Sequence, residues 1–490
     1  MDALQHLVKS YTGQVKCIYI DPPYNTGSDG FVYQDDFGFT VEQLVKKIGM
    51  DEEEARRILD MQGKSSHSAW LTFMYPRLIL ARELLSDDGV IFISIDDNEQ
   101  ANLKLLCDDV FGEQCFVAEI GVRTNPKGRS QDMYIAKCHE YLLCYSSTVL
   151  PKGSVSIDKT DIDILKDYKL IDKTLGPYRE LELRNTHRQF GKHNRSNLYY
   201  PLFAASSGEV SIIQSEKYNI EVLPIWDDGY DGCWTWDQKK AEENIHLLVA
   251  HKVRSTWKVY RKSYAYVDGE VVSKKVKSLW TEKDMRTEQG QSTFDNLFES
   301  KEKLFEAPKP VSLISRAINM GSSRDSIILD FFSGSATTAQ AVMQLNAEDS
   351  GNRRYIMVQW PEKIEEKKPA YQAGYRTIDE IGRERIKRAA AKIKEETGAD
   401  IDYGFKLVRL LTPTEKTLDE LSSFDPFAPI IFTDDYVEKF ALANVPGHEV
   451  ILSTWLNQDG FGLLVKPEKI QLAGYMMAVS YTHLRAHETS

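Results

Sequence analysis

The apolar positions of this chain fall into short continuous runs, separated by stretches with helical spacing. Val15 to Ile20 is one such run, β-branched and aromatic-rich, and it reads as a buried strand. It stops at Asp21-Pro22-Pro23-Tyr24, because neither proline can donate to a sheet ladder. Ahead of it, Leu4, Leu7 and Val8 predict a short helix. Behind it, Trp70, Phe73, Met74, Leu78, Ile79, Ala81, Leu84 and Leu85 share one helical face, and Asp88-Gly89 predicts the end of that helix. Val90 to Ile95 is a second buried strand, Ala101 to Phe111 a helix, and Glu140 to Tyr145 a third strand. The alternation returns late in the chain. Lys309-Pro310 opens a helix, Ser326 to Leu329 is a buried strand followed by a helix, and Tyr355 to Gln359 is the next strand. Strands alternating with helices predict an α/β fold, a doubly wound and mostly parallel sheet with helices on both faces.

Other stretches lack this pattern. Asn25 to Phe37 is polar and Gly-rich and predicts an active-site loop. Val41 to Gln62 predicts a charged, exposed helix. From about 151 to 300 the text is polar, with scattered aromatics and weak periodicity. The predicted organisation is therefore 1–150, an inserted domain at 151–300, a resumed first domain at 301–400, and a C-terminal piece at 401–477. Residues 478–490 break the character of what precedes them and read as a non-native tail, similar to translated sequencing-adapter read-through. That tail and the abrupt opening at Met1 predict a gene longer at both ends.

Composition narrows the function classes. At 490 residues the chain can bury a large core in two to four domains. A net charge of −12 excludes a chain that is basic throughout, but not a local nucleic-acid site. The six cysteines include no C-x-x-C pair, so neither a zinc site nor a disulfide framework is indicated. No apolar run approaches a membrane span and there is no signal peptide, so the expected compartment is the cytoplasm. One stretch is locally basic and interleaved with aromatics: Lys252, Arg254, Lys258, Arg261, Lys262, Lys274, Lys275 and Lys277, among Trp257, Tyr260, Tyr264 and Tyr266. Its cations can neutralise phosphates while its rings stack bases; the alternative is a solvated amphipathic sheet.

Two turns carry candidate chemistry. Asp21 and the carbonyl of Pro22 can both accept from one exocyclic amino group, and Pro23 has no N–H to compete. Tyr24 offers a flat face for a planar base. Two acceptors on one amine stabilise the positive charge that grows on its nitrogen during attack. The second turn is Asp330-Phe331-Phe332-Ser333-Gly334-Ser335-Ala336-Thr337-Thr338, a strand running into small residues and a helix. Small residues let a ligand approach the backbone, and the helix start supplies free N–H groups. It is not G-x-G-x-x-G, which disfavours a hydride-transfer enzyme. Asp96-Asp97-Asn98-Glu99 after the second strand fits either a site for a hydroxyl-bearing ligand or a helix N-cap.

Asp21-Pro22-Pro23-Tyr24 resembles the catalytic motif of the amino-group DNA methyltransferases, which methylate adenine N6 or cytosine N4 with S-adenosylmethionine. The second turn is similar to their cofactor motif, whose usual pattern has Gly where this chain has Ala336. Many such enzymes place an acid for the cofactor ribose where Gln359 stands. The motif order, with a variable segment between the two turns, matches the β group, in which that segment is the target recognition domain. More narrowly, Asp21 to Gly27, Trp70 to Arg82, Ser94 to Glu99, Lys309-Pro310 and Asp402-Tyr403-Gly404-Phe405-Lys406 together resemble the modification (Mod) subunit of type III restriction–modification systems, over most of residues 1–475.

The resemblance implies a Rossmann-like, permuted methyltransferase fold acting on adenine N6 of a flipped-out base in duplex DNA. It implies Asp21, Pro22, Pro23 and Tyr24 as catalytic. Asp21, Lys309, Asp330, Phe331, Phe332, Ser333, Gly334, Ser335, Thr337, Thr338 and Gln359 are the implied contacts of S-adenosylmethionine, and no metal is implied. The implied partners are a second copy and a restriction (helicase–nuclease) subunit. The rivals are a stand-alone adenine or cytosine-N4 methyltransferase and a catalytically silent DNA-binding subunit. Enzymes of the N4 class more often carry Ser in place of the first Asp, and intact Asp21 and Tyr24 argue against the silent subunit.

Overall fold

The computed structural model describes residues 1–26, 52, 56, 66–128, 132–410, 440–441, 445–465, 468–472 and 475–479. Most of the expected loop at 25–37, most of the helix at 41–62 and the tail beyond 479 lie outside them. The chain forms two compact units, one of residues 1–155 with 277–490 and the other of residues 156–276.

The larger unit is built on a seven-stranded sheet. Its elements, in chain order, are α1 (Asp2–Tyr11), β1 (Val15–Ile20), α2 (Ser66–Leu84), β2 (Leu85–Ile95), α3 (Gln100–Phe111), β3 (Phe116–Val122) and β4 (Glu140–Ser146). After the other unit come β5 (Leu279–Trp280), α4 (Thr287–Phe298), α5 (Val311–Gly321), β6 (Ile327–Asp330), α6 (Thr337–Asp349), β7 (Arg354–Met357) and α7 (Ile378–Thr397). The strand order is β5-β3-β4-β2-β1-β6-β7. Neighbouring strands are parallel except where β4 pairs with β2 and β3, so β4 alone runs against the rest.

The side-chain period of two sorts the central strands onto two covered faces. Ile18 and Ile20 of β1, Ile91, Ile93 and Ile95 of β2, and Leu143 of β4 join one core with Leu4, Trp70, Phe73, Leu78 and Leu103 of α1 to α3. Each such aliphatic side chain contributes about 1.5–3 kcal/mol relative to exposure, which is why these strands read as unbroken apolar runs. On the other face α5 lies unusually close. A Cβ on Gly321 would sit 2.4 Å from Val90 Cγ2, so only glycine fits there. Beyond it, α4, α6 and α7 share a core of Phe294, Ala339, Met343, Ile381, Ile386 and Ala389.

The element that positions the site is the pairing of β1 with β6, in register Val15↔Ile327 and Ile18↔Leu329. Two strands about 300 residues apart in sequence therefore end side by side. Both turns singled out in the sequence leave from their carboxyl ends, the edge at which open α/β sheets bind ligands.

Three expected boundaries move. The helix expected to run to Asp88-Gly89 ends at Leu84, because Leu85 already pairs with Val15 in the sheet. The last strand is 354–357 rather than 355–359. The inserted segment ends at 276 rather than 300, since Leu279–Trp280 joins the large sheet beside β3 and α4 packs its Phe294 into the core of α6 and α7.

The smaller unit has only short helices, at Asp161–Asp167 and Gln238–Glu243. Leu248–Val253, Thr256–Tyr264, Gly176–Glu182 and Leu170–Asp172 form an antiparallel sheet in that order. Ile220–Val222, Leu202–Ala204 and Val210–Ser211 form a second sheet. Their shared core holds Leu183, Tyr200, Leu202, Trp234, Trp236 and Val259. Trp234 Nε1 donates to the Tyr200 carbonyl at 2.8 Å, which satisfies the one polar atom of a fully buried indole. Short strands with many polar positions explain the weak periodicity of this segment.

Candidate active site

Asp21 to Tyr24 extend from the end of β1 as a stiff turn, held from outside by α2. The indole Nε1 of Trp70, fully buried, donates to the Pro23 carbonyl at 2.7 Å. Among the described residues nothing hydrogen-bonds the Pro22 carbonyl. The next residue, Asn25, has φ 58°, and its Nδ2 donates to Glu99 Oε1 at 2.6 Å. Glu99 has no exposed surface and also takes His67 Nδ1 at 2.7 Å and Asn102 Nδ2 at 2.8 Å. Glu99 thus has a role that neither reading of the acidic cluster names. Glu99 occupies the N-cap position of α3 but makes no cap bond; its carboxylate holds the residue after Tyr24.

Tyr24 Oη lies 2.8 Å from Asp21 Oδ1 and 3.2 Å from Glu140 Oε2, and its one proton can be donated to either. Lys309, just ahead of α5, donates to Tyr24 Oη and to Glu140 Oε2, both at 2.6 Å, and lies 3.5 Å from Asp21 Oδ1. Among the described residues, two carboxylates thus face one ammonium. Burial drives the Asp21 carboxyl above its ordinary range, with Lys309 pulling it down and Glu140 pushing it up. Burial alone would lower the Lys309 ammonium, but Asp21 and Glu140 outweigh it and hold it above the usual lysine value.

Glu140 was not among the expected site residues. It opens β4, and a β4 parallel to its neighbours would have put it at the far edge of the sheet. Because β4 is antiparallel, with Tyr141 opposite Ile95, its first residue lies at the carboxyl edge beside Asp21. No signal in the sequence distinguishes the two directions.

The second turn is braced by its own side chains. Asp330 ends β6 almost fully buried; its Oδ1 accepts from Phe332 N at 3.0 Å and its Oδ2 from Thr338 Oγ1 at 2.5 Å. Burial pushes its carboxyl up to about 7, against the pull of these two hydrogen bonds. Gln359 Oε1 accepts from Gly334 N at 2.7 Å, and its Nε2 donates to the Trp360 carbonyl at 3.2 Å, so both ends of the amide are engaged. Ser333 N donates to the Val358 carbonyl, and Ser335 and Thr337 hydroxyls point to Arg385 of α7. Phe331 lies in the core of the sheet, and the Phe332 ring sits 5.9 Å from that of Phe73. Gly334 and Ala336 are both left-handed, with φ 48° and 62°. Alanine can hold that conformation, though less readily than glycine. The first turn of α6 has no side-chain cap, leaving its N–H groups to a ligand. That donor set, with a glycine where the backbone must be approached, fits the amino-acid end of S-adenosylmethionine.

The expected DNA-binding residues are not equivalent. Lys258 pairs with Asp227 at 3.1 Å, Lys262 with Asp172 at 3.9 Å, and Lys274 with Asp163. Arg261 lies over the Trp236 ring. Lys252 and Arg254, at the 253–256 hairpin, and Lys275 are exposed, with no ion pair among the described residues. Lys277 is exposed too, but it belongs to the larger unit. The smaller unit carries nineteen Lys and Arg against eighteen Asp and Glu, so the acidity of the chain lies elsewhere. Among the described residues no cluster of His, Cys, Asp and Glu could hold a metal, and no helix is long and apolar enough to cross a membrane.

Comparison with known proteins gives the same family as the two turns. Residues 15–372 match the family model described as DNA methylase. The EcoPI Mod subunit of a type III restriction–modification enzyme, from Escherichia phage P1, is 37% identical over 97% of this chain and 73% of its own length. The StyLTI Mod subunit from Salmonella typhimurium is 35% identical and the EcoP15I Mod subunit from Escherichia coli 33%, each over 97% of this chain and 72% of the relative. The chain therefore belongs to the N6/N4 DNA methylase family and, within it, to the modification subunits of type III restriction–modification enzymes.

Proposed function

We propose that this chain methylates adenine N6 of a base flipped out of duplex DNA, using S-adenosylmethionine, as the modification subunit of a type III system. The observation that carries this reading is the juxtaposition of the Asp21–Tyr24 and Asp330–Thr338 turns at the carboxyl ends of two paired parallel strands. A stacked, paired base cannot present N6 for in-line transfer, so it must leave the helix. Flipping costs a few kcal/mol, which stacking on Tyr24 and contacts at Asp21 and Pro22 offset.

S-adenosylmethionine supplies an electrophilic methyl group on a sulfonium. The chain's residues bind and orient. The N–H groups at the start of α6 and the backbone around Gly334 hold the amino-acid end. Asp330, Thr338, Gln359, Ser335 and Thr337 keep the turn in shape rather than reaching for the ligand. Asp21 and the Pro22 carbonyl accept from the amino group, aiming its lone pair and stabilising the charge it acquires. Lys309 fixes the Tyr24 hydroxyl, and so the ring plane, for stacking.

Residues 156–276 are the target recognition domain in this reading, with Lys252, Arg254 and Lys275 on phosphates. A second copy and a restriction subunit are the protein partners in this reading, and action on duplex DNA fits the cytoplasm.

The test is tritiated-methyl transfer to duplex DNA, with nucleoside analysis of the product. Asp21→Ala abolishes transfer while S-adenosylmethionine binding persists in calorimetry. Near-normal transfer by that variant refutes the mechanism. Label on cytosine N4 replaces adenine as target, and cofactor binding without transfer by the unmodified chain supports the silent subunit.

A further inference from the structure

Helix α7 carries an arginine with no exposed surface and no acidic partner. Arg385 Nε donates to Gln340 Oε1 at 3.0 Å, and Nη1 donates to Ser335 Oγ at 2.8 Å and Thr337 Oγ1 at 2.5 Å. Nη2 is buried without a hydrogen-bond partner, and no carboxylate among the described residues lies within ion-pair distance. The nearest compensation is the Phe294 ring, 5.5 Å from Cζ. Burial draws the guanidinium down to about 9, which still leaves it protonated at neutral pH.

A buried cation without a counter-charge is unfavourable, and this one stands in an unfavourable place. All three of its acceptors belong to the second turn or the start of α6. The N-terminus of α6 already bears positive partial charge and has no side-chain cap. Two sources of the same sign thus converge here, and the one carboxyl of the turn, Asp330, is taken by Thr338 Oγ1 and Phe332 N and makes no ion pair with Arg385. The approach of α7 is itself tight: a Cβ on Gly382, one turn before Arg385, would lie 3.2 Å from the Gly334 carbonyl oxygen. A surface-directed arginine would serve helix packing equally well at lower cost. An anion docked on the turn would supply the missing charge.

We infer that Arg385 is a positioning residue of the cofactor turn, acting through Ser335 and Thr337, and that its positive charge selects the carboxylate at the amino-acid end of the cofactor. This rests on the assignment of the turn to S-adenosylmethionine made above. Arg385 does not touch the ligand. It orients the two hydroxyls, fixes the left-handed backbone at Gly334 and Ala336, and raises the potential at the α6 N–H groups.

The test is calorimetric binding of two probes to the full chain: S-adenosylhomocysteine and S-adenosyl-3-thiopropylamine, which lacks only the carboxylate. Arg385→Met weakens S-adenosylhomocysteine by at least about tenfold, the scale of one charge-assisted interaction, and leaves the decarboxylated probe within about twofold. Arg385→Lys keeps the charge and recovers much of the loss. Equal weakening of both probes, or of neither, overturns the inference and reduces Arg385 to a packing role. If Arg385→Met does not fold, the unmodified chain decides: it must prefer S-adenosylhomocysteine to the decarboxylated probe, and indifference overturns the inference. An unmodified chain that binds neither probe rejects the cofactor assignment itself, and the inference with it.

Discussion

Asp330 should make the protein less stable as pH rises from about 4 to about 7, and Asp330→Asn should remove that dependence. The carboxyl is buried at the end of β6 and titrates at about 7 in the folded chain, against an ordinary 3.8 when unfolded. Between those values the folded chain holds a proton that the unfolded chain has lost. Stability therefore falls by about 1.4 kcal/mol per pH unit across that window and levels off above it. The full difference is about 4 kcal/mol. The group costs nothing below pH 4, where both states are protonated. Asparagine has the same shape. Its Oδ1 can still accept from Phe332 N–H, and its Nδ2 can donate to Thr338 Oγ1 where the carboxylate accepted. The measurement is the urea midpoint of both proteins from pH 4.5 to 8.5. Taking the difference between them cancels every other titrating group. The advantage of Asp330→Asn should grow up to about pH 7 and then stay constant. A difference that does not change with pH would mean that Asp330 is ionised throughout and well solvated.

Trp70→Phe should slow methyl transfer more than it weakens cofactor binding, because it leaves the part-buried Pro23 carbonyl without its donor at a cost of about 1 kcal/mol. A single-turnover rate at saturating cofactor should fall about fivefold; an unchanged rate would show that the prolines alone hold the turn. Replacing Lys252 and Arg254 together by Ala should flatten the salt dependence of DNA binding by about two phosphate contacts, a change of about 1.8 in the log–log slope. Lys258→Ala and Lys262→Ala should leave the slope nearly unchanged, since Asp227 and Asp172 already neutralise them. Equal effects from all four would mean that these ion pairs open on DNA.

The site was legible where one backbone conformation demands one residue type. Two prolines after an apolar run end a strand whatever surrounds them, and small residues after Asp330 permit the left-handed backbone found at Gly334 and Ala336. The strands β1, β2 and β6 were equally plain, because burial on both faces gives each a run of mostly apolar positions. What could not be read was whatever depends on partners distant in sequence. Glu140 joins the site only because β4 runs backwards, Trp70 reads as core until its indole is placed on Pro23, and Arg385 in a helix rich in Lys and Glu reads as a surface charge. The basic stretch at 252–277 shows the converse error. Its cations are adjacent in sequence, but their acids come from residues 163, 172 and 227, so several of them carry no net field.

The pairing of β1 with β6 also bears on how the protein is made. Strand β1 can pair with β2 as soon as residue 95 has emerged, but its other edge waits for residues 327–329. A ribosome adding about 5–20 residues per second needs roughly 12–46 s to cover that interval. Throughout it, Val15–Ile20 presents a bare, apolar, β-branched edge, the feature most prone to pairing with another chain. Both turns are brought together by that same late pairing, so a nascent or truncated chain lacking β6 cannot transfer methyl groups.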